Sequence, residues 1–339
     1  MYIQILVGFS ILMSELLILS TEGSKYFSEL IVRQLIELGF HPNQLNINRS
    51  EFPGGEKYYR LDVQSNFELL GKTAIYVSAL TNDDDILEVV RVGSTLVQYG
   101  VRRRVFIIPF LGYSTMERAV LPGEVVTAKC TIQMLSSIGS GSNGNVFLLF
   151  DLHTAGLLHY FEGPCLRLEL YGQKALLKSL PLIGFDPATF MFASADLGRT
   201  AWVNAFARES GTPVAFIRKV RTMVGSVSQS QAFEVIGNVK GKHVVIYDDM
   251  TRSGGTLIHA AEKYLSVGAL SVDVCVSHFL PNDEKVLNFL INSPLRKIVA
   301  LNTHPATQAA QIKAHPEKFV IVDCSEEFVN CLKDIIPKN

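Results

Sequence analysis

A surplus of charge of either sign is missing from this chain. Its 31 lysines and arginines stand against 32 aspartates and glutamates in 339 residues, a net charge of −1. That balance excludes a nucleic-acid binder working through a broad basic surface. Cysteine is scarce as well: Cys130, Cys165, Cys275, Cys324 and Cys331 are odd in number and form no C-x-x-C pair. Neither a disulfide framework nor a zinc site follows, and reduced thiols in a cytoplasmic protein are the expectation. Low-complexity segments and long linkers are lacking. The first twenty residues, "MYIQILVGFSILMSELLILS", carry Glu15 as their only charge. They have no basic region and no small-residue cleavage site, so they do not read as a signal peptide. Ser10, Ser14 and Glu15 interrupt the run of about 20 apolar residues that a membrane span requires. Two readings stay open: "ELLILST" is the first core strand, or Met13 is the start and residues 1–12 are an extension.

What is present is an alternation. Apolar strand-like runs ("ELLILS", "TAIYVSAL", "RVFIIPFL", "NVFLLFD", "ATFMFAS", "PVAFIR", "HVVIYDD", "LSVDVCVSH", "RKIVAL", "KFVIVD") are separated by helix-like segments. Several lack period-two alternation, as strands covered on both faces do. "SKYFSELIVRQLIELG" predicts a helix with Ser24 as its N-cap and Gly39 as its stop. "NDDDILEVVRVGSTLVQYG" predicts another, with Asp83, Asp84 and Asp85 at its dipole-favoured start rather than on a metal. Residues 102–104, three arginines, read as a solvated corner. The pattern is that of an α/β protein with mostly parallel sheets. Ten strands suggest two tandem domains: 13–160, then 161–324 after the interruption at "FEGP", with residues 325–339 packing back on the first.

The stretch "YDDMTRSGGTLIHA" at 247–260 carries the chemistry. Ligands of open α/β sheets sit at the carboxyl ends of strands. A turn entering a helix offers unpaired backbone N–H groups to an anion. "TRSGGT" adds the hydroxyls of Ser253 and Thr256, while Gly254 and Gly255 permit close approach. It is neither a Walker A loop nor G-x-G-x-x-G. Asp248 and Asp249 can accept hydrogen bonds from vicinal hydroxyls. Phosphate on one side and diol acceptors on the other describe ribose 5-phosphate; the plain alternative is an ordinary capped strand–turn–helix.

"VVIYDDMTRSGGT" resembles the phosphoribosyl-pyrophosphate loop of phosphoribosyltransferases and of ribose-phosphate pyrophosphokinases. Further motifs, in order, favour the second family: "FPGGEKYYRL" resembles its nucleotide loop, "NDDDILEVV" with "VFIIPFLGY" its central helix and strand. "FDLHTAGLLHYF", "SADLG" and "IRKVRT" resemble its D-L-H segment, second metal segment and catalytic loop. "TMERAVLPGEVVTA" is similar to the plant-type class II branch. The resemblance runs from about Glu15 to the C-terminus and implies two phosphoribosyltransferase-like domains. It implies transfer of the pyrophosphoryl group of Mg-ATP to ribose 5-phosphate, giving phosphoribosyl pyrophosphate (PRPP) and AMP, with Mg²⁺ as cofactor.

By the same resemblance, Lys219 and Arg221 are the catalytic cations, and His153 and Asp196 help hold the metal. Phe52, Gly55, Glu56 and Arg118 contact the nucleotide. Asp248, Asp249, Arg252, Ser253, Gly254, Gly255 and Thr256 take the sugar phosphate. His159, His243, His259, His278 and His304 have no such support. The chain departs from classical members at Gly54, an acid there, at Thr115 and Met116, an arginine–glutamine pair there, and at Arg252, an acid there. Trp202 stands near a position often basic. These departures predict relaxed nucleotide choice and weak ADP inhibition. A homo-oligomer is expected, with partners limited to ATP and ribose 5-phosphate and no membrane or nucleic acid. The competing readings are a non-catalytic member that regulates an active synthetase, and a phosphoribosyltransferase that consumes PRPP.

Overall fold

The structure, a computed structural model, describes residues 16–141, 143–224 and 227–336, with the backbone alone for 219–224 and 227–233. The first sheet is wholly parallel. Its strands are β1 (Leu16–Ser20), β2 (Pro42–Gln44), β5 (Thr73–Val77), β6 (Arg103–Ile108), β7 (Asn145–Phe150) and β8 (Cys165–Leu170), in the order β2-β1-β5-β6-β7-β8. A separate antiparallel hairpin, β3 (Ile47–Glu51) and β4 (Lys57–Leu61), stands beside it.

The second sheet contains β9 (Phe190–Ser194), β10 (Val214–Val224), β11 (Val227–Ile236), β12 (His243–Thr251), β13 (Ser271–Phe279), β14 (Ile298–Leu301) and β15 (Phe319–Val322). The order is β11-β10-β9-β12-β13-β14-β15, parallel except where β11 meets β10. β10 pairs with β9 only through Val214 and Ala215; the remainder runs on with β11 as a two-stranded ribbon. Among the described residues no helix is long and apolar enough to cross a membrane.

The side-chain alternation of a strand explains how the layers join. On β1, Leu17 and Leu19 face a core with Val89, Val92 and Leu96 of α2 (Asp83–Gln98) and Ile132 of α3 (Thr127–Ser136). Leu16 and Ile18 face the opposite way, into a core shared by the two sheets. There Ile75 and Leu148 of the first meet Phe192, Val245 and Val299 of the second. α1 (Lys25–Glu37) closes this shared core together with α9 (Ser325–Ile335), whose Phe328 lies edge-on to Phe27 at 5.5 Å and stacks on Phe150 at 5.1 Å. Gln34 Nε2 donates to Ser325 Oγ at 2.7 Å across the same seam.

Three expectations are corrected. β8, placed beyond the boundary at 160/161, is the edge strand of the first sheet, which therefore continues through Leu170. Its half-exposed, charge-bearing sequence hides it from an apolar pattern search. Ser24 does sit at the N-cap of α1, but its hydroxyl makes no cap bond; it accepts from Ala79 N at 2.8 Å and ties α1 to the end of β5. Of the three arginines, Arg104 is fully buried rather than solvated. Its guanidinium donates to Asn145 Oδ1 and to the carbonyls of Val101, Ser140 and Gly144, which replace its water shell.

Candidate functional site

β12 and β9 lie side by side as far as Tyr247 and Ser194; β9 ends there, while β12 runs on through the polar residues to Thr251. Beyond Ser194, Asp196 caps a short turn, its Oδ1 accepting from Gly198 N at 2.8 Å. Beyond Tyr247 come Asp248 and Asp249. A strand turns successive side chains to opposite sides, and the two acids differ accordingly. Asp248 is partly exposed, whereas Asp249 is buried at 4% exposure.

Asp249 Oδ2 is already engaged. His153 Nδ1 approaches it at 2.7 Å and Arg199 NH2 at 2.6 Å. The same Arg199 nitrogen lies 2.8 Å from His153 Nδ1, its NH1 donates to His153 O at 3.2 Å, and its Nε is 3.7 Å from Asp248 Oδ1. Burial raises the Asp248 carboxyl above the usual carboxylate range, helped by the charge of Asp249. For Asp249, burial also works against ionisation, but the His153 hydrogen bond and the Arg199 charge outweigh it and hold the group down. His153 Nδ1 thus faces a carboxylate, to which it can only donate, and a guanidinium, from which it can only accept; its tautomer sets which of the two it bonds.

Sequence reasoning missed Arg199, which directly follows "SADLG", because only the fold brings it to the acids. It also left His278 unassigned. That ring is buried, its Nδ1 2.8 Å from Thr303 Oγ1 and its Nε2 3.1 Å from Asp151 O. Asp151 bridges β7 to His153 with a left-handed φ of 39°. Its Oδ2 accepts from Gly172 N at 3.0 Å, its Oδ1 is buried without a partner among the described residues, and burial pushes its carboxyl up to about 7. His304 is mostly buried too, and burial lowers its imidazole to about 4.

The turn after β12 enters α6 (Gly255–Ser266). Gly254 has a φ of 75°, and a Cβ there would sit 2.3 Å from Leu290 Cδ2; both facts require glycine. Ser253 Oγ accepts from Gly255 N at 3.4 Å, and Ser253 and Thr256 are exposed. Arg252 leaves the turn and donates to Thr115 Oγ1 at 3.1 Å, so the turn also touches the first lobe. The "FPGGE" stretch forms the tip of the β3–β4 hairpin. Phe52 is 53% exposed, edge-on to Tyr58 at 5.7 Å, and Glu56 is exposed. Arg49 anchors the hairpin through Glu88, at 2.9 and 2.7 Å, and through Ser20 O. Arg118 is exposed beside Glu117.

Lys219 and Arg221 lie on β10, in the ribbon rather than in a loop; their side chains fall outside the described residues. Among the described residues, no three His, Cys, Asp or Glu side chains are grouped to hold a metal ion. The donors present still fit a divalent ion bound mainly by phosphate oxygens and water, since Mg²⁺ needs only one or two protein carboxylates. Asp196 is one such carboxylate, and Arg199, which closes the turn that Asp196 caps, contacts His153.

Residues 16–139 match the N-terminal domain of ribose phosphate pyrophosphokinase, and residues 199–293 match the phosphoribosyl transferase domain. A ribose-phosphate pyrophosphokinase of Saccharolobus solfataricus is 30% identical over 239 residues, 70% of this chain and 77% of the relative. The chain belongs to the ribose-phosphate pyrophosphokinase family. A member from Methanobrevibacter smithii is 25% identical over 301 residues, covering 85% of this chain and 92% of its own. The crystal structure of phosphoribosylpyrophosphate synthetase from Mycobacterium smegmatis shares the fold, with a TM-score of 0.79 at 22% identity. It covers 95% of this chain and 98% of that one. The two lobes are thus the two phosphoribosyltransferase-type domains of the family.

Proposed function

We propose that this chain is a ribose-phosphate diphosphokinase. O1 of ribose 5-phosphate attacks the β-phosphorus of ATP, the bond between the α-phosphate and the β-phosphorus breaks, and PRPP and AMP result. The observation that carries the reading is the cluster of Asp248, Asp249, His153 and Arg199 beside the glycine turn at the ends of β12 and β7. Asp248, the more accessible acid, accepts from the ribose hydroxyls. The turn from Arg252 through Thr256 takes the 5-phosphate on backbone N–H groups and hydroxyls. Asp249 stands behind His153 and positions it.

Phosphoryl chemistry asks the protein mainly to position groups and to neutralise spread charge. Lys219 and Arg221 supply that neutralisation from the ribbon. Asp196 and His153 hold Mg²⁺, which when bound offsets charge on the nucleotide phosphates. Arg252, donating to Thr115, brings a cation to the point where classical members carry arginine. Phe52, Gly55 and Glu56 on the hairpin tip, with Arg118, contact the base. The exposed tip suits an ATP site completed by a second copy, hence a homo-oligomer. Free cysteines and the proposed substrates favour the cytoplasm.

The test is ³¹P NMR of the protein with ribose 5-phosphate and Mg-ATP, beside Lys219→Ala. PRPP and AMP appearing together, and vanishing in the variant, is the expected result. No turnover with ribose 5-phosphate still bound would overturn it in favour of a regulatory member.

A further inference from the structure

Asp248, Asp249 and His153 gather at the ends of β12 and β7, yet among the described residues they are not grouped to hold a metal ion. A cationic side chain stands among them instead. Arg199, only 13% exposed at its side chain, reaches all three residues: Asp249 Oδ2 at 2.6 Å, His153 Nδ1 at 2.8 Å, and Asp248 Oδ1 at 3.7 Å. A fourth contact, NH1 to His153 O at 3.2 Å, fixes the guanidinium against the main chain. Its backbone is equally well placed. Arg199 closes the turn that Asp196 caps and precedes the first residue of α5 (Thr200–Ser210). This cation is therefore built in by two elements rather than being a loose surface chain.

The charge balance follows. The guanidinium cancels one negative charge beside the imidazole; without it, that charge would face a nitrogen donor unopposed. Arginine does not lose its proton in proteins, so this neutralisation is permanent. We propose that Arg199 is a tethered cation that keeps free divalent metal off the acids and His153, so that this part of the site accepts a metal only together with phosphate-bearing substrate. The inference rests on the reading of the site as a sugar-phosphate site. It makes Arg199 a positioning and selectivity residue, with no part in the reacting atoms.

The readout is Mn²⁺ alone, followed by loss of the aqueous Mn²⁺ signal in electron paramagnetic resonance, with no nucleotide or sugar present. Arg199→Met, similar in length and uncharged, is expected to bind one Mn²⁺ at least about tenfold more tightly than the wild type. A full unit of charge removed within about 4 Å of the ion exceeds that threshold even at surface dielectric. Arg199→Lys, which keeps the charge, should resemble the wild type. Adding Asp249→Asn to Arg199→Met should abolish the new site. Should Arg199→Met not fold, as judged by circular dichroism, Arg199→Gln carries the same comparison. Equal Mn²⁺ affinity in wild type and neutral variants would overturn the proposal. So would a new site that survives Asp249→Asn. A wild type that makes no PRPP would remove the activity reading and leave this result standing.

Discussion

Ser277 Oγ donates a 2.5 Å hydrogen bond to Asp151 Oδ2, joining β13 of the second sheet to the end of β7 in the first. The acceptor belongs to a carboxyl that burial pushes from 3.8 up to about 7. A raised carboxyl binds its proton more tightly in the folded state than in the unfolded one. Its stabilising contribution is therefore complete below pH about 4 and is lost as pH rises to about 7. Asp151→Asn keeps a neutral group and an acceptor, so it should flatten that decline. The gap between wild type and variant should change by about 4 kcal/mol across the window, at 1.36 kcal/mol per pKa unit. Urea unfolding of both proteins at pH about 4.5 and about 7.5 would measure it, and parallel curves would refute it.

The neighbouring acids of β12 should respond differently. Asp249→Asn leaves the buried Arg199 guanidinium without its carboxylate, and breaking a buried pair costs about 3–5 kcal/mol. Asp248 is held largely neutral by burial, so Asp248→Asn should leave thermal stability nearly unchanged at neutral pH while weakening ribose 5-phosphate binding. Calorimetric melting with and without the sugar phosphate separates the two effects. Equal melting losses would show that the acids share one role.

At the phosphate turn, Gly254→Ala forces a left-handed φ on a residue with a Cβ and drives it into Leu290. A loss of about 2–4 kcal/mol is expected from the two penalties together. Among the described residues, the Cβ of Gly255→Ala meets only Ser253 Oγ, at 3.6 Å. It should unfold like the wild type and show its defect as a higher KM for ribose 5-phosphate. A Gly254→Ala protein as stable as the wild type would exclude this account.

On the hairpin, Phe52→Ala removes an exposed ring whose contact is Tyr58. Stability should shift by under about 0.5 kcal/mol, as for ordinary surface positions, while KM for the nucleotide rises. With Gly54, Thr115 and Met116 in place of classical polar contacts, initial rates with ATP, GTP and CTP should lie within about tenfold of one another, 1.4 kcal/mol in discrimination. Turnover with ATP alone would refute relaxed choice.

The ten apolar runs all correspond to strands of the two sheets because buried parallel strands advertise themselves by composition. β2, β8, β11 and the hairpin were not legible, being short, polar or half exposed. The turn from Arg252 to Thr256 was legible because its chemistry is local. Arg199 and Asp151 were not: each gains its meaning from a partner on another element, and no spacing along the chain encodes that meeting. Arg104 was misread for the same reason, since the carbonyls that receive it come from residues 101, 140 and 144.

The seam between α1 and α9 has a consequence for how the molecule comes into being. Gln34 and Ser325, bonded across it, are 291 positions apart. During synthesis, the aromatic surface around Phe27 and Phe150 waits for Phe328 while nearly all of the second lobe is made. Contacts of such long sequence separation form slowly, and apolar surface left open meanwhile is prone to association. A nascent first lobe should therefore be a client for chaperones until its helical cover arrives.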